Sequence, residues 1–324
     1  MLSVLDLAPV VEGGTVGESL DRSRDLAQHV ERWGYDRFWL AEHHNMPGIA
    51  SAATAVVIGH VAAGTSRIKV GAGGIMLPNH SPFIVAEQFG TLAALFPNRI
   101  ELGLGRAPGT DPLTIRALRR GLPGDADRFP DDVLELKRWL DDPEPGDPVI
   151  ATPGAGSKVP LWILGSSLFG ASLAAALGLP FAFASHFAPQ ALEPAIELYR
   201  TKFRPSPEHE RPRVMLGVNV FAADSDEEAR VLATSLEQAF LALRRGRPGR
   251  IQPPKKDLVL SPVERAMLDE IFACSFIGAP KAVAKELRAF VERTKADDVI
   301  VASMIYDHAA RLRSYELLAD AFRP

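Results

Sequence analysis

Short β-rich runs alternate with helical patterns from one end of this chain to the other, and that alternation limits the fold more than any other feature. A strand, a helix and a second strand build a parallel pair, because the return crossover needs a dozen or more residues. The runs read as strands are 3–7, 37–41, 67–75, 99–104, 161–164, 181–184, 213–221 and 297–304. Between them lie helical patterns at 16–33, 51–63, 82–96, 130–140, 169–177, 189–203 and 224–245, and a last one follows at 309–322. The first helix shows the logic: Val16, Leu20, Leu26, Ala27, Val30 and Trp33 keep one face apolar, and Gly34 closes it. Ser51 is the expected N-cap of the second helix. Near-continuous apolar strands suit a sheet covered on both faces.

Eight strands point to closure into a (β/α)8 TIM barrel. The rival is a doubly wound open sheet. Its best support is GAGG at 71–74, which does not complete G-x-G-x-x-G and sits inside a strand run; GLGRAPG at 103–109 also misses the spacing. A chain of 324 residues suits one barrel over residues 1–324 with two insertions, after strand 4 (about 106–160) and after strand 7 (about 222–296). The second insertion holds GRPGRIQPPKK at 246–256, and with Arg244 and Arg245 just before it, Arg247, Arg250, Lys255 and Lys256 gather six positive charges before Asp257. That segment reads either as a lid over an anionic ligand or as a solvated loop.

The 36 basic and 40 acidic residues leave a net charge of −4, which excludes a surface generally built to coat nucleic acid. A single cysteine, Cys274, forms no disulfide within the chain and fits a reducing compartment, so a cytoplasmic location is expected. Its setting, IFACSFIG, suggests inert core, and Cys-rich metal sites are excluded. No apolar run approaches the ~20 residues that span a bilayer, so no membrane role is expected. MLSVLDLAPV at the start lacks a basic segment and carries Asp6, so it reads as a buried strand rather than a signal peptide.

In a barrel the active site gathers at the C-terminal strand ends. Those ends read Asp6; Glu42-His43-His44-Asn45; Met76-Leu77-Pro78-Asn79-His80; Gly105-Arg106; Gly165-Ser166-Ser167; Ser185-His186; Asn219; and Tyr306-Asp307-His308. His43, His44, His80, His186 and His308 thus lie just beyond strands, whereas His60 is mid-helix. Adjacent residues in extended chain face opposite ways, so at most two of Glu42, His43 and His44 converge. A metal site is therefore disfavoured against structural histidines. The better reading has one histidine facing the pocket as a general base while the acid orients a neighbour.

Gly165-Ser166-Ser167 is a glycine turn followed by two hydroxyls at a helix start, a place where free N–H groups and the helix dipole bind phosphate. Serine there is equally an ordinary cap. Arg106, at the end of strand 4, is the candidate charge partner for a phosphate; the bland alternative is a salt bridge to Asp111. There is no G-x-S-x-G elbow, P-loop or H-E-x-x-H.

Three long segments, at 37–111 (RFWLAEHHNMPG through GLGRAPGTD), 160–167 (PLWILGSS) and 276–320 (FIGAPKAV through ASMIYDHAARLRSYELLAD), resemble the luciferase-like flavin monooxygenases, and in particular the single-chain, alkanal-monooxygenase-like branch. The resemblance implies a dimeric (β/α)8 barrel with insertions. It implies reduced FMN as cosubstrate, delivered by a separate NAD(P)H:flavin reductase, and O2 adding to give a flavin peroxide or hydroperoxide. That species would oxidise an aldehyde, ketone or similar substrate. By the same resemblance His43 matches the proposed general base, and Gly73-Gly74 match a non-proline cis peptide beneath the flavin ring. Arg106 and Ser167 match the FMN phosphate grip, with Gly165 and Ser166 supplying backbone. Residues 246–260 match a mobile loop that shields the flavin from water. Helices 51–63 and 82–96 resemble the elements that pair across the family's dimer. Two departures speak against light emission: Gly105 stands where light-emitting members have a reactive cysteine, and His186 where they have a tryptophan. The rival readings are a deazaflavin-dependent hydride-transfer enzyme of the same superfamily and a non-catalytic flavin-binding protein.

Overall fold

A closed ring of eight parallel strands forms the centre of the computed structural model, which describes residues 1–107, 110–118 and 126–322. The strands are β1 (Leu2–Asp6), β2 (Arg37–Leu40), β3 (Lys69–Met76), β4 (Ile100–Gly105), β5 (Leu161–Gly165), β6 (Phe181–Phe183), β7 (Val214–Ala222), β8 (Ser275–Gly278) and β9 (Asp298–Ala302). β1 to β7 pair in sequence, β9 joins β7, and β9 returns to β1 to close the barrel. All eight strands expected from the sequence are present, and the open sheet is excluded. The ninth, β8, was not anticipated. It pairs only with the outer half of β7, Asn219–Ala222, and stands outside the ring.

The helices are α1 (Val16–Arg32), α2 (Thr54–Ala63), α3 (Pro82–Leu95), α4 (Pro112–Leu118), α5 (Phe129–Leu140), α6 (Leu168–Leu177), α7 (Leu192–Lys202), α8 (Asp226–Arg244), α9 (Pro262–Ile271), α10 (Pro280–Thr294) and α11 (His308–Phe322). α1 starts where Thr15 Oγ1 accepts from the Glu18 amide and Glu18 accepts from the Thr15 amide, a reciprocal cap that satisfies two otherwise unpaired donors. Its buried face carries Leu26, Ala27 and Val30 against the strands. Ser51 does not cap α2. That helix starts at Thr54, and Ser51 Oγ instead donates to the Ala41 carbonyl at 2.5 Å and to Leu7 at 3.2 Å, tying the loop after β2 to the one after β1. No helix among the described residues is long and apolar enough to cross a membrane. Pro108 and Gly109, which end the GLGRAPG run, and 119–125 of the first insertion lie outside the described residues.

Side chains alternate across each strand, and the inward set forms three tiers. The lowest is charged. Arg37 Nε donates to Glu101 at 2.8 Å, Lys69 Nζ donates to Glu101 at 3.1 Å, and Arg213 Nε donates to Asp298 at 2.7 Å. Glu101 and Asp298 are fully enclosed. The middle tier is apolar: Leu5, Trp39, Trp162, Met215 and Ile300 cluster there, with the two indoles edge to face at 5.5 Å between centroids. Arg37 and Arg213 lie over Trp162 at 5.6 and 5.5 Å, which joins the two tiers. The upper tier is the reverse of filled. Gly73, Gly74, Gly105 and Gly217 stand where side chains would otherwise meet, and the barrel opens into a cavity.

Candidate active site

The cavity has a volume of about 640 Å³ and receives residues from the ends of seven strands, β1 to β7, as well as from β9 and α8. That size suits a ligand as large as a nucleotide cofactor or a drug-sized molecule.

Its floor and one wall are made of backbone. The Gly73–Gly74 peptide is cis, as the resemblance led us to expect. A Cβ on Gly73 would approach Leu5 Cδ1 to 2.8 Å, and one on Gly74 would approach the Gly103 carbonyl to 2.6 Å, so neither position tolerates a side chain without movement. The register between β3 and β4 shifts between Gly73 and Ile75, which turns this stretch into the cavity.

At one end of the cavity α6 points its N-terminus inward. Gly165, Ser166, Ser167 and Gly170 line this corner. The backbones of Gly165 and Gly170 come so close that a Cβ on Gly165 would sit 3.3 Å from Gly170 Cα. Ser167 occupies the N-cap position in extended conformation, yet its side chain makes no capping hydrogen bond. The ordinary-cap alternative therefore does not use up this hydroxyl. The first amides of α6 have no partner within the helix, and the dipole adds to their pull on an anion. Arg106 faces the same corner. Its guanidinium lies 4.0 Å from the centroid of Phe169 and makes no ion pair with any described residue. The expected alternative, a bridge to Asp111, is not formed. Asp111 accepts instead from Asn45 Nδ2 at 2.9 Å and from Thr114, bonds that hold its carboxyl far below the usual range. Phe169 was missed in the sequence; a phenylalanine in the first turn of an apolar helix carries no mark that separates a cation platform from core.

The five strand-end histidines divide into three groups. His43 and His186 line the cavity. Each keeps a buried Nδ1 with no hydrogen-bond partner. Burial lowers the pKa of both rings, that of His186 to about 4 with a further push from His43; for His43, Glu42 opposes the shift and His44 adds to it. His44 and His80 turn away from the cavity, and both donate from Nε2 to one oxygen of Glu42, at 2.7 and 2.8 Å. The other Glu42 oxygen accepts from the Met76 amide at 3.0 Å. Burial alone would raise this carboxyl, but the two imidazole hydrogen bonds outweigh it and hold the pKa at about 2. Glu42, His44 and His80 bring three ligand-type atoms within 4.8 Å of one another, but their spacing is that of hydrogen bonds. The acid thus orients a neighbouring histidine, as expected, and it also fixes the cavity wall at Met76, which the sequence did not indicate. His308 belongs elsewhere, donating to Asp25 at 2.8 Å, and His60 faces Asp21 on the outer surface. Asp6 is taken by Arg311 at 2.7 Å. Cys274 is buried and free.

The segment after α8 closes the top. Pro248, Gly249 and Ile251 line the cavity, and Ile251 pairs with Val11 in a parallel bridge. None of the six basic residues of this region is part of the lining. Arg245 pairs with Glu264, Lys256 with Glu227, and Arg250 donates to the Gly14 carbonyl at 2.9 Å. The segment is a cover, as one reading had it, but its charges face outward and its inner surface is apolar. Gly48 is the point of closest approach: a Cβ there would fall on the Gly249 carbonyl oxygen, and only backbone movement relieves that overlap. Gly48→Ala is expected to loosen the cover and to speed tryptic cleavage between Arg250 and Ile251 by about fivefold or more, since local opening governs such cleavage. Unchanged cleavage at this bond, followed by mass spectrometry, removes Gly48 from the role of latch.

The sequence model of one family, described as luciferase-like monooxygenase, matches residues 1–297. A luciferase-like monooxygenase of Escherichia coli (strain K12) is 52% identical over 320 residues, which is 98% of this chain and 96% of the relative. Among solved structures, apo-MsnO8 superposes with a TM-score of 0.88 at 37% identity, covering 99% of this chain and 98% of that one. Two more distant structures share the fold: the oxygenating constituent of 3,6-diketocamphane monooxygenase from Pseudomonas putida, in complex with FMN (TM-score 0.71, 20% identity, 98% and 96% coverage), and an F420-dependent secondary alcohol dehydrogenase (TM-score 0.73, 16% identity, 100% and 99% coverage).

Proposed function

The chain belongs to the luciferase-like monooxygenase family, and from that premise we propose that it is an FMN-dependent monooxygenase acting on a small organic substrate such as an aldehyde or ketone. Reduced FMN would come from a separate NAD(P)H:flavin reductase and would supply the electrons for reducing O2, of which one oxygen atom passes to the substrate. The observation that carries the reading is Arg106, without an ion pair among the described residues, beside the open N-terminus of α6, at one end of a cavity that His43 lines.

The residues fit such a cofactor. Arg106, Ser166, Ser167 and the Gly165 backbone would hold its phosphate, because an arginine stacked on an aromatic ring and lacking a carboxylate leaves its N–H donors free. Gly73 and Gly74 offer flat backbone against which a planar ring system can lie. His43, kept unprotonated at neutral pH by burial, is available to take a proton at the reacting atoms. The inner surface of the cover, Pro248, Gly249 and Ile251, would keep water from the reacting atoms once a cofactor fills the cavity, which would strengthen the polar contacts beneath it. We also propose a cytoplasmic homodimer joined through α2 and α3, whose outer faces expose Val56, Ile84 and Leu95; sedimentation at micromolar concentration tests it against a monomer.

The deciding experiment is an anaerobic titration with reduced FMN followed by rapid mixing with oxygenated buffer. Tight binding and, on mixing, an oxygen reaction spectrally and kinetically distinct from that of free reduced FMN support the monooxygenase. Binding of a reduced deazaflavin in its place, with no oxygen uptake, supports the hydride-transfer reading, for which the F420-dependent neighbour is the structural precedent. Binding of oxidised FMN without turnover supports a carrier. Arg106→Ala is expected to weaken FMN binding by about 1.5–3 kcal/mol, or roughly 10- to 150-fold in Kd, as a charge-assisted contact is lost. Fluorescence quenching of free FMN measures this directly, and an unchanged Kd removes Arg106 from the phosphate site.

A further inference from the structure

Away from the α6 corner the cavity wall is almost wholly apolar, with Met46, Ile49, Leu236, Phe240, Ile251 and Met304 among its side chains. Arg106 is the one charged side chain in the lining among the described residues. Beyond Ser166 and Ser167 at the α6 corner, the hydrogen-bonding side chains of the wall are His43, His186 and Asn219. Asn219 spends its Nδ2 on the His186 carbonyl at 2.6 Å and on Ser275 Oγ at 3.0 Å. His43 already has a place in the proposed reaction. His186 has none.

Yet the structure goes to some length to fix this ring. Asn219 holds its backbone. Phe187 meets the imidazole edge to face, 4.8 Å between centroids and 89° between planes. Gly217 makes room for it: a Cβ at that position would overlap Nδ1. Nδ1 is enclosed against Gly217 and out of a ligand's reach, which leaves Nε2, bonded to no described residue, as the ring nitrogen open to the cavity. A polar side chain clamped at the edge of an apolar compartment, with no protein partner, lacks a ligand rather than a neighbour.

We propose that His186 is the substrate's polar anchor: it receives an uncharged molecule with an apolar body and a single oxygen function, a carbonyl or hydroxyl, held against the imidazole. Burial keeps the ring neutral at pH 7, so it offers a hydrogen bond and no charge. A carboxylate in the same place would lose its water with no cation to compensate it. This assignment rests on the flavin reading, because a cofactor phosphate is what takes Arg106 away from the substrate.

The test uses the full chain saturated with oxidised FMN and three probes of matched length: 2-octanone, octanoate and octane. Binding is read from the perturbed flavin absorbance. The parent is expected to bind 2-octanone at least about tenfold more tightly than octanoate. His186→Phe keeps a ring in the clamp and is expected to weaken 2-octanone about fivefold while leaving octane unchanged. His186→Gln, which retains a hydrogen-bonding group, is expected to recover part of the loss. FMN affinity, measured in parallel, stays the same in both variants. Octanoate binding as well as 2-octanone, or equal losses for octanone and octane in His186→Phe, overturns the proposal. Should His186→Phe not fold, the His186→Gln variant and the ketone-to-acid ratio of the parent decide. Failure of the parent to bind FMN in either the oxidised or the reduced state overturns the flavin reading instead, and the same probes then test His186 on the flavin-free chain by calorimetry.

Discussion

Replacing His43 with alanine is expected to slow substrate oxidation by about 10²-fold or more while leaving the Kd for FMN within a factor of about three. The separation follows from geometry. The phosphate corner at Arg106 and Ser167 and the backbone wall at Gly73 and Gly74 do not depend on this imidazole. His43 adds a nitrogen to a cavity in which few polar groups are free, and a proton-transfer group of that kind acts on the rate far more than on binding. The pH profile supplies a second reading. Burial disfavours the imidazolium, so the folded pKa lies below the ordinary value of 6.5. The base therefore stays unprotonated as the pH falls through 6.5, and turnover is expected to decline only below that point. The acid limb disappears in His43→Ala. Turnover within threefold of the parent, or an acid limb that survives the substitution, ends the case for His43 as base.

Glu42→Ala is expected to cost about 3–5 kcal/mol of stability, measured by urea unfolding at pH 7. The loss is large because three donors converge on one enclosed carboxylate: His44 Nε2, His80 Nε2 and the Met76 amide. Removing the acceptor leaves all three unpaired, with His44 only 13% exposed and His80 better reached by water at 29%. The pH dependence has a definite sign. The folded pKa of about 2 lies below the ordinary 4.5, so the native state favours the ionised form. That contribution is complete above pH 4.5 and is lost as the pH falls toward 2. The stability gap between parent and Glu42→Ala should therefore narrow in acid. A gap that stays constant from pH 7 to pH 3 shows that the side chain serves by its volume alone. Because Met76 forms part of the cavity wall, the variant is also expected to bind FMN more weakly, a change absent from His43→Ala.

The barrel was legible because each of its eight strands is a compact apolar run followed by a helix signal, and because the strands align in chain order. β8 was not. Ser275–Gly278 is four residues long and continues an apolar stretch from α9, and only pairing with β7 separates it from core. Among the site residues, Gly73, Gly74, Arg106, Gly165, Ser166 and Ser167 all lie on one cavity with His43. Their position at strand ends made them visible. Direction was harder to read. His43 and His44 face opposite ways, as adjacent residues in extended chain must, but nothing in the sequence says which of the two looks inward. His308 follows the end of β9 at Ala302 as His186 follows the end of β6 at Phe183, though at greater distance, and α11 begins at His308 and aims it at Asp25. The cover segment misled by its charge. Six basic residues suggest an anion, whereas the parts that touch the cavity are Pro248, Gly249 and Ile251.

The charged tier at the lower end of the barrel has a consequence for traffic. Arg37, Glu101 and Asp298 seal that end with side chains that are almost entirely out of contact with solvent, and the Trp39–Trp162 pair blocks the passage above them. Among the described residues that end is closed, so exchange takes place at the upper end of the barrel, where Pro248, Gly249 and Ile251 lie. A tunnel with two openings lets reactant and product pass in a stream; a well with one mouth does not. Molecules in a well cannot overtake one another, so the first to settle is the last to depart, and occupancy of the deepest seat fixes the order in which everything above it is exchanged.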